Sequence, residues 1–97
     1  MAVKGISFSA ALNWLKVGKR VARAGWNGKG MWLSLVRPDL REAHNFQSHV
    51  TRVHKDGNTV KKYPVSPWVG MKTADDKFVP WLCSQTDMLA EDWEIVE

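Results

Sequence analysis

The chain lacks most of what would mark a membrane-spanning, secreted or polymer-binding protein. Cys83 is the only cysteine among 97 residues, so no disulfide can form within the chain and a reducing cytoplasm is the expected setting. A lone cysteine more often fills apolar space than attacks a substrate. No run approaches the roughly 18 apolar residues of a membrane span. The opening "MAVKGISFSAALNWLKVGKR" meets charges too early to read as a signal peptide. There is no internal repeat, no low-complexity tract, no Walker spacing and no GxGxxG pattern. No serine sits in a recognisable nucleophile elbow. His44, His49 and His54 are five residues apart, which puts successive members on opposite faces of a strand, so no metal site is expected. Basic residues are scattered rather than clustered, and the stretch from Asp87 onward is acidic. Nucleic acid is therefore a weak expectation, although a net charge of +4 favours anionic partners in general.

What the chain does have is tryptophan. A core built from 97 residues has little room for six indoles, and each buried N–H needs a partner. Some of the six are expected in a pocket or at a subunit interface, where aromatic anchors concentrate.

Local patterns predict an α+β fold: an N-terminal helix packed on a small antiparallel β-sheet, a short C-terminal helix and a final strand. Ser7 can cap a helix whose apolar residues Phe8, Ala11, Leu12 and Leu15 share one face, with Gly18 at its end. "KRVARAGW" alternates as a strand and puts Arg20, Ala22, Ala24 and Trp26 on one face. Asn27, Gly28, Lys29 and Gly30 then turn the chain into the returning strand "MWLSLV". Residues 39–66 are polar and carry all three histidines. "KDGN" inside them can turn a second hairpin, and a mobile excursion is the competing reading. A third hairpin is expected around Ala74, Asp75 and Asp76, with Pro80 at a sheet edge or a bulge. "SQTD" has the form of a capping box before a helix of one or two turns, and "WEIV" alternates as the last strand.

Chemistry concentrates at the glycine-rich turn. Such turns can aim several backbone N–H groups at one anion. Arg23 and Lys29 are the cations nearest to it, and the Trp26 ring offers a stacking face for a base. The acids Asp75, Asp76, Asp87, Glu91 and Asp92 specify no reaction; the last two do not suit the helix dipole, which leaves open a role as partners for nearby basic residues, and a non-catalytic protein without a cofactor is expected.

Two segments together carry a resemblance. "SFSAALNWLKVGKRVARAGWNGKGMWLSL" and "MKTADDKFVPWLCSQTDMLAEDWEIV" resemble the Thoeris anti-defence 2 family, small proteins of phages and prophages. The resemblance covers about residues 7–37 and 67–96 and leaves 39–66 as a variable insertion in one sponge-type domain, 1–97. It implies a molecular sponge. The ligand would be a cyclic ADP-ribose isomer made by a TIR-domain enzyme, held intact so that the defence effector stays silent. It further implies a homotetramer with pockets between subunits, cyclic dinucleotides as a second ligand class at separate sites, and action in the cytoplasm of the infected bacterial host. Carried onto this sequence, Trp26 and Asn27 match the Gly-Trp-Asn turn that lines the messenger pocket. Ser84, Thr86 and Asp87 match the element before the short helix, and Trp81, next to Pro80, is adjacent to it. Capping alone also accounts for Ser84 and Asp87. Arg23 and Lys29 are assigned to the diphosphate from charge and proximity, not from the resemblance. Two other functions stay open at this point: a cyclic-nucleotide hydrolase, and a nucleic-acid-binding or virion-associated phage module.

Overall fold

A computed structural model of the chain describes residues 3–26, 29–37, 49–53, 60–64 and 66–97. The order of elements is α1 (Phe8–Lys16), β1 (Arg20–Arg23), a single 3-10 turn (Ala24–Trp26), β2 (Trp32–Val36), β3 (His49–Val53), β4 (Val60–Pro64), β5 (Trp68–Lys72), β6 (Phe78–Pro80), α2 (Gln85–Leu89) and β7 (Trp93–Val96). The chain divides into two compact units, one of Met1–Leu35 with Val69–Glu97 and one of Val36–Trp68.

The larger unit is α+β, as the sequence predicts. Its antiparallel sheet runs β6-β5-β2-β1-β7, so the last strand of the chain lies beside the first. β1 and β7 are in register from Arg20 opposite Val96 to Arg23 opposite Trp93. The outer side of β7 is met by the N-terminal segment: Ile6 and Trp93 exchange backbone hydrogen bonds of 3.0 and 3.1 Å, and Ile95 N–H donates to Val3 at 2.9 Å. At the opposite edge, β6 is three residues long and ends in Pro80, whose missing N–H is tolerated at an edge strand.

α1 starts and stops where its caps dictate. Ser7 Oγ accepts from the Ala10 N–H at 3.2 Å. At the other end Lys19 N–H donates to the Trp14 carbonyl and Gly18 N–H to the Leu15 carbonyl, both at 3.0 Å. That pair of bonds is a Schellman motif, and it requires Gly18 at φ +95. Ala11 and Leu15 point from the helix onto Val21, Leu33 and Trp93 of the sheet, and all five are fully buried. Phe8 and Leu12 flank them at partial burial. The other five tryptophans are each partly exposed, in line with the limited room for indoles.

The expected strand over 19–26 is corrected. It ends at Arg23, and Ala24–Trp26 form the 3-10 turn. Strict alternation would put Trp26 on the face away from the core. The turn rotates it back, so that its ring meets Trp93 edge-on at 5.4 Å. Burying part of an indole against the core outweighs three more residues of ladder. The third hairpin forms as expected, with Asp76 at φ 63 in its turn and Thr73 N–H bonded to the Lys77 carbonyl at 2.7 Å.

In the smaller unit β3 and β4 pair antiparallel, His49 opposite Pro64 through Val53 opposite Val60. This is the second hairpin read from the sequence. Its "KDGN" turn lies outside the described residues, as do His44 and His54.

Candidate ligand site

The residues singled out from the sequence come from two distant stretches, 23–29 and 81–87, and the fold brings most of them to one end of the larger unit. The buried Trp93 is the hub. Trp26 meets it edge-on at 5.4 Å, Trp81 edge-on at 6.0 Å and Phe8 at 5.3 Å, while Phe8 also touches Trp81 at 5.8 Å. Tilted and edge-to-face pairs at these separations add to what area burial alone provides. The Trp93 indole N–H donates to the Asp87 carbonyl at 2.9 Å, which satisfies the one polar atom of a fully buried ring and anchors α2 to the sheet.

Asp87 is held three ways. Its N–H donates to Ser84 Oγ at 3.1 Å, its carbonyl accepts from Trp93, and its Oδ1 accepts from Arg23 Nη1 at 2.8 Å. Ser84 is thus the N-cap of α2. The capping box is only half built, because the Asp87 carboxylate turns to Arg23. Asp92, three residues past the end of α2, takes the rest of the guanidinium. Arg23 Nε donates to its Oδ1 at 2.8 Å and Nη2 to its Oδ2 at 3.4 Å.

These contacts set the titration of the cluster. The hydrogen bonds to Asp92, then to Asp87, hold the Arg23 pKa above its ordinary value. The hydrogen bond from Arg23 holds Asp92 below the usual carboxylate range, against the opposing effect of burial. Burial, and then the charge of Asp87, push the Cys83 thiol up. A thiol held protonated is a poor nucleophile.

Lys29 and Gly30 lie beyond the 3-10 turn and are exposed. Lys29 N–H closes the turn on the Trp26 carbonyl at 3.2 Å. Gly30, at φ +68, has its carbonyl bonded by Lys72 Nζ at 3.0 Å, and Lys72 is paired with Asp76 at 2.5 Å. The far hairpin therefore pins the glycine-rich turn. Thr86 is exposed on α2. Asn27 lies outside the described residues.

Sequence reading missed Phe8 and Trp93 as parts of this cluster, and left Asp92 open as a partner for a nearby basic residue, which Arg23 proves to be. An acid just past the C-terminal end of a short helix, where the helix dipole disfavours it, was the signal available for Asp92. For Trp93 the signal was its place in the alternating "WEIV" strand. Nothing local distinguished Phe8 from the rest of its helical face.

A short helix and a longer one on an antiparallel sheet, with aromatic rings and an arginine–carboxylate cluster gathered at one end, define a small α+β module. Residues 6–96 match the family described as Tad2-like, the Thoeris anti-defense 2-like domain. A curated protein named Thoeris anti-defense 2, from Bacillus phage SP01, is 43% identical over 95 residues, covering 94% of each chain. The chain belongs to the Thoeris anti-defense 2-like family. That membership supports a phage anti-Thoeris role, and the family's name describes counter-defence rather than a reaction.

Proposed function

We propose that the protein is a sponge that captures cyclic ADP-ribose isomers made by TIR-domain enzymes and holds them without cleaving them. The observation that carries this reading is the convergence of Trp26 with Ser84 and Asp87 through Trp93 and Arg23, at 5.4 Å, 2.9 Å and 2.8 Å along the chain of contacts. The partly exposed ring of Trp26 is the stacking face for adenine, and Trp81 packs on the same buried Trp93. Asn27 and Thr86 supply donors and acceptors to base or ribose. Lys29 supplies positive charge for the diphosphate, since the charge of Arg23 is already matched by two carboxylates. A cyclic ligand loses little conformational freedom on binding, so a rigid site can hold it tightly without chemistry.

The reading extends to a homotetramer with the ligand pocket between subunits, acting in the cytoplasm of the infected host. Exposed apolar side chains beside the site support that assembly: Leu82 is 90% exposed, Leu89 75% and Met88 48%. Cyclic dinucleotides are the second ligand class to test.

Capture and release decides the matter. The purified protein is mixed with a cyclic ADP-ribose isomer and filtered, and free nucleotide is measured before and after heat denaturation. Depletion followed by recovery of the unchanged molecule is expected. Recovery of linear ADP-ribose would make the protein a hydrolase, and a salt-sensitive shift with oligonucleotides alone would make it a polymer binder. Stacking of a base on an aromatic ring contributes about 1–3 kcal/mol, so Trp26→Ala should weaken capture about 5- to 150-fold. If Trp26→Ala folds, melts normally and captures fully, the pocket lies elsewhere.

A further inference from the structure

We propose that Arg23 is a positioning residue for the candidate ligand site: its guanidinium clamps Asp87 on α2 and Asp92 ahead of β7, fixing α2 against the turn that carries Trp26. The link to ligand affinity rests on the sponge reading above; the clamp itself does not.

α2 cannot hold its own place. It has five residues and none is buried, and isolated helices far longer than this are marginal in water. Its apolar side chains Met88 and Leu89 face outward. It touches α1, and its specific bonds are polar and mostly pass through Asp87: the Ser84 cap, the Trp93 indole and Arg23. Two of these bonds come from neighbouring residues in space, because Arg23 and Trp93 sit opposite each other across the β1–β7 ladder. The same end of β1 leads directly into the 3-10 turn, where Ala24 N–H donates to the Asp92 carbonyl at 2.9 Å. One guanidinium therefore ties three segments that are far apart in sequence: the Trp26 turn, α2 and the start of β7.

The shape of the fork matters as much as its charge. Nε and Nη2 face Asp92 while Nη1 faces Asp87. A lysine ammonium carries the same charge but cannot span two carboxylates in that planar geometry. The cluster of one cation and two anions is also net negative, the wrong sign for a guanidinium waiting to receive a diphosphate.

Substitution separates a clamp from a direct phosphate contact by the sign of its effect. Asp92→Asn removes one of the two charges holding Arg23. If Arg23 is a clamp, this weakens capture of a cyclic ADP-ribose isomer by about 10-fold, the scale of a lost charged hydrogen bond. If Arg23 instead reached the diphosphate, freeing it would leave affinity unchanged or raise it, which would overturn the proposal. Arg23→Lys should lose as much as Arg23→Gln, whereas a direct phosphate contact would be largely rescued by lysine.

A readout without ligand completes the test. Solvent exchange of the Trp93 indole N–H, assigned by its disappearance in Trp93→Phe, reports whether α2 stays seated. Arg23→Gln and the milder Asp92→Asn should both speed that exchange about 10-fold in folded protein. Unchanged exchange in both variants would overturn the clamp even if the wild type captures messenger. Faster exchange in a protein that captures no messenger would uphold the clamp and reject the sponge.

Discussion

Asp92 titrates under the control of one neighbour. The hydrogen bond from Arg23 depresses its pKa in the folded protein, while in the unfolded chain it returns to about 3.9. A depressed carboxylate contributes stability that is complete above the unfolded value and is lost as pH falls through the folded one. At neutral pH Asp92→Asn should therefore cost about 1 kcal/mol, less than the roughly 1.5–3 kcal/mol of a charged hydrogen bond because the side chain is 38% exposed. Urea unfolding from about pH 7 down to about pH 2 should show wild type and variant converging as the medium drops below the ordinary carboxylate range. A difference that persists at the acid end would mean that Asp92 acts through packing rather than charge. The single thiol shifts in the opposite sense: burial, and then the charge of Asp87, raise the Cys83 pKa, so it should react more slowly with thiol reagents in the native state than in the unfolded chain.

At the scale of elements, the ends of α1 hold the helix in phase with the sheet. The Schellman bonds at Gly18 turn the chain sharply enough for β1 to begin two residues later, at Arg20. A β-carbon at φ +95 is strained even though the space around it is open, and left-handed backbone costs an L-residue roughly 1–2 kcal/mol. Gly18→Ala should lower the thermal midpoint by an amount matching that loss, with the circular dichroism of the folded state unchanged. Gly18→Asn, which tolerates the left-handed region better, should recover part of it. The glycine-rich turn is held differently. Its Gly30 carbonyl is fastened by Lys72 across the sheet, so the presentation of Trp26 depends on a hairpin more than forty residues later in the chain.

For the whole molecule, the burial of six tryptophans is uneven. Only Trp93 is completely buried, and Trp26 and Trp81 share its surroundings from the partly exposed side. The candidate site thus grows directly out of the core: the packing that stabilises the fold also places the rings of Trp26 and Trp81. Beside it, Leu82, Met88 and Leu89 are exposed, and the tetramer proposed for the protein would cover them. Light scattering should find an assembly larger than the 11.0 kDa chain, and Leu82→Glu should shift it toward smaller species while leaving the secondary structure intact. Charge introduced at a buried apolar contact carries a penalty that no rim salt bridge offsets. A Leu82→Glu protein of unchanged mass would place the contact on another surface.

Much of this architecture is legible locally. Ser7, Gly18 and the face of Phe8, Ala11, Leu12 and Leu15 define α1 from sequence alone, because capping and helical periodicity involve residues within a few positions of one another. The hairpin around Asp76, the N-cap at Ser84, the edge position of Pro80 and the last strand follow for the same reason. Where a side chain's partner lies far along the chain, local pattern misleads. Alternation carried the first strand on to Trp26, yet contact with Trp93, 67 positions away, ends it at Arg23. Charge and proximity put Arg23 forward for a diphosphate, and no local pattern showed that Asp87 and Asp92, from the far end of the chain, both pair with it.

The sequence by itself determined the elements, their caps and the family, since these depend on short-range backbone preferences and on the order of residue types. Only the tertiary structure decided how the hairpins are ordered in the sheet, with β5 beside β2 and the last strand of the chain beside the first. That pairing carries Trp93 and Asp92 to Arg23 and Trp26, and so assembles the candidate site from residues that no local rule connects. The physical reason is that burial of Trp93 and neutralisation of Arg23 are satisfied only by groups brought in from afar, and such long-range contacts leave no periodic trace along the chain.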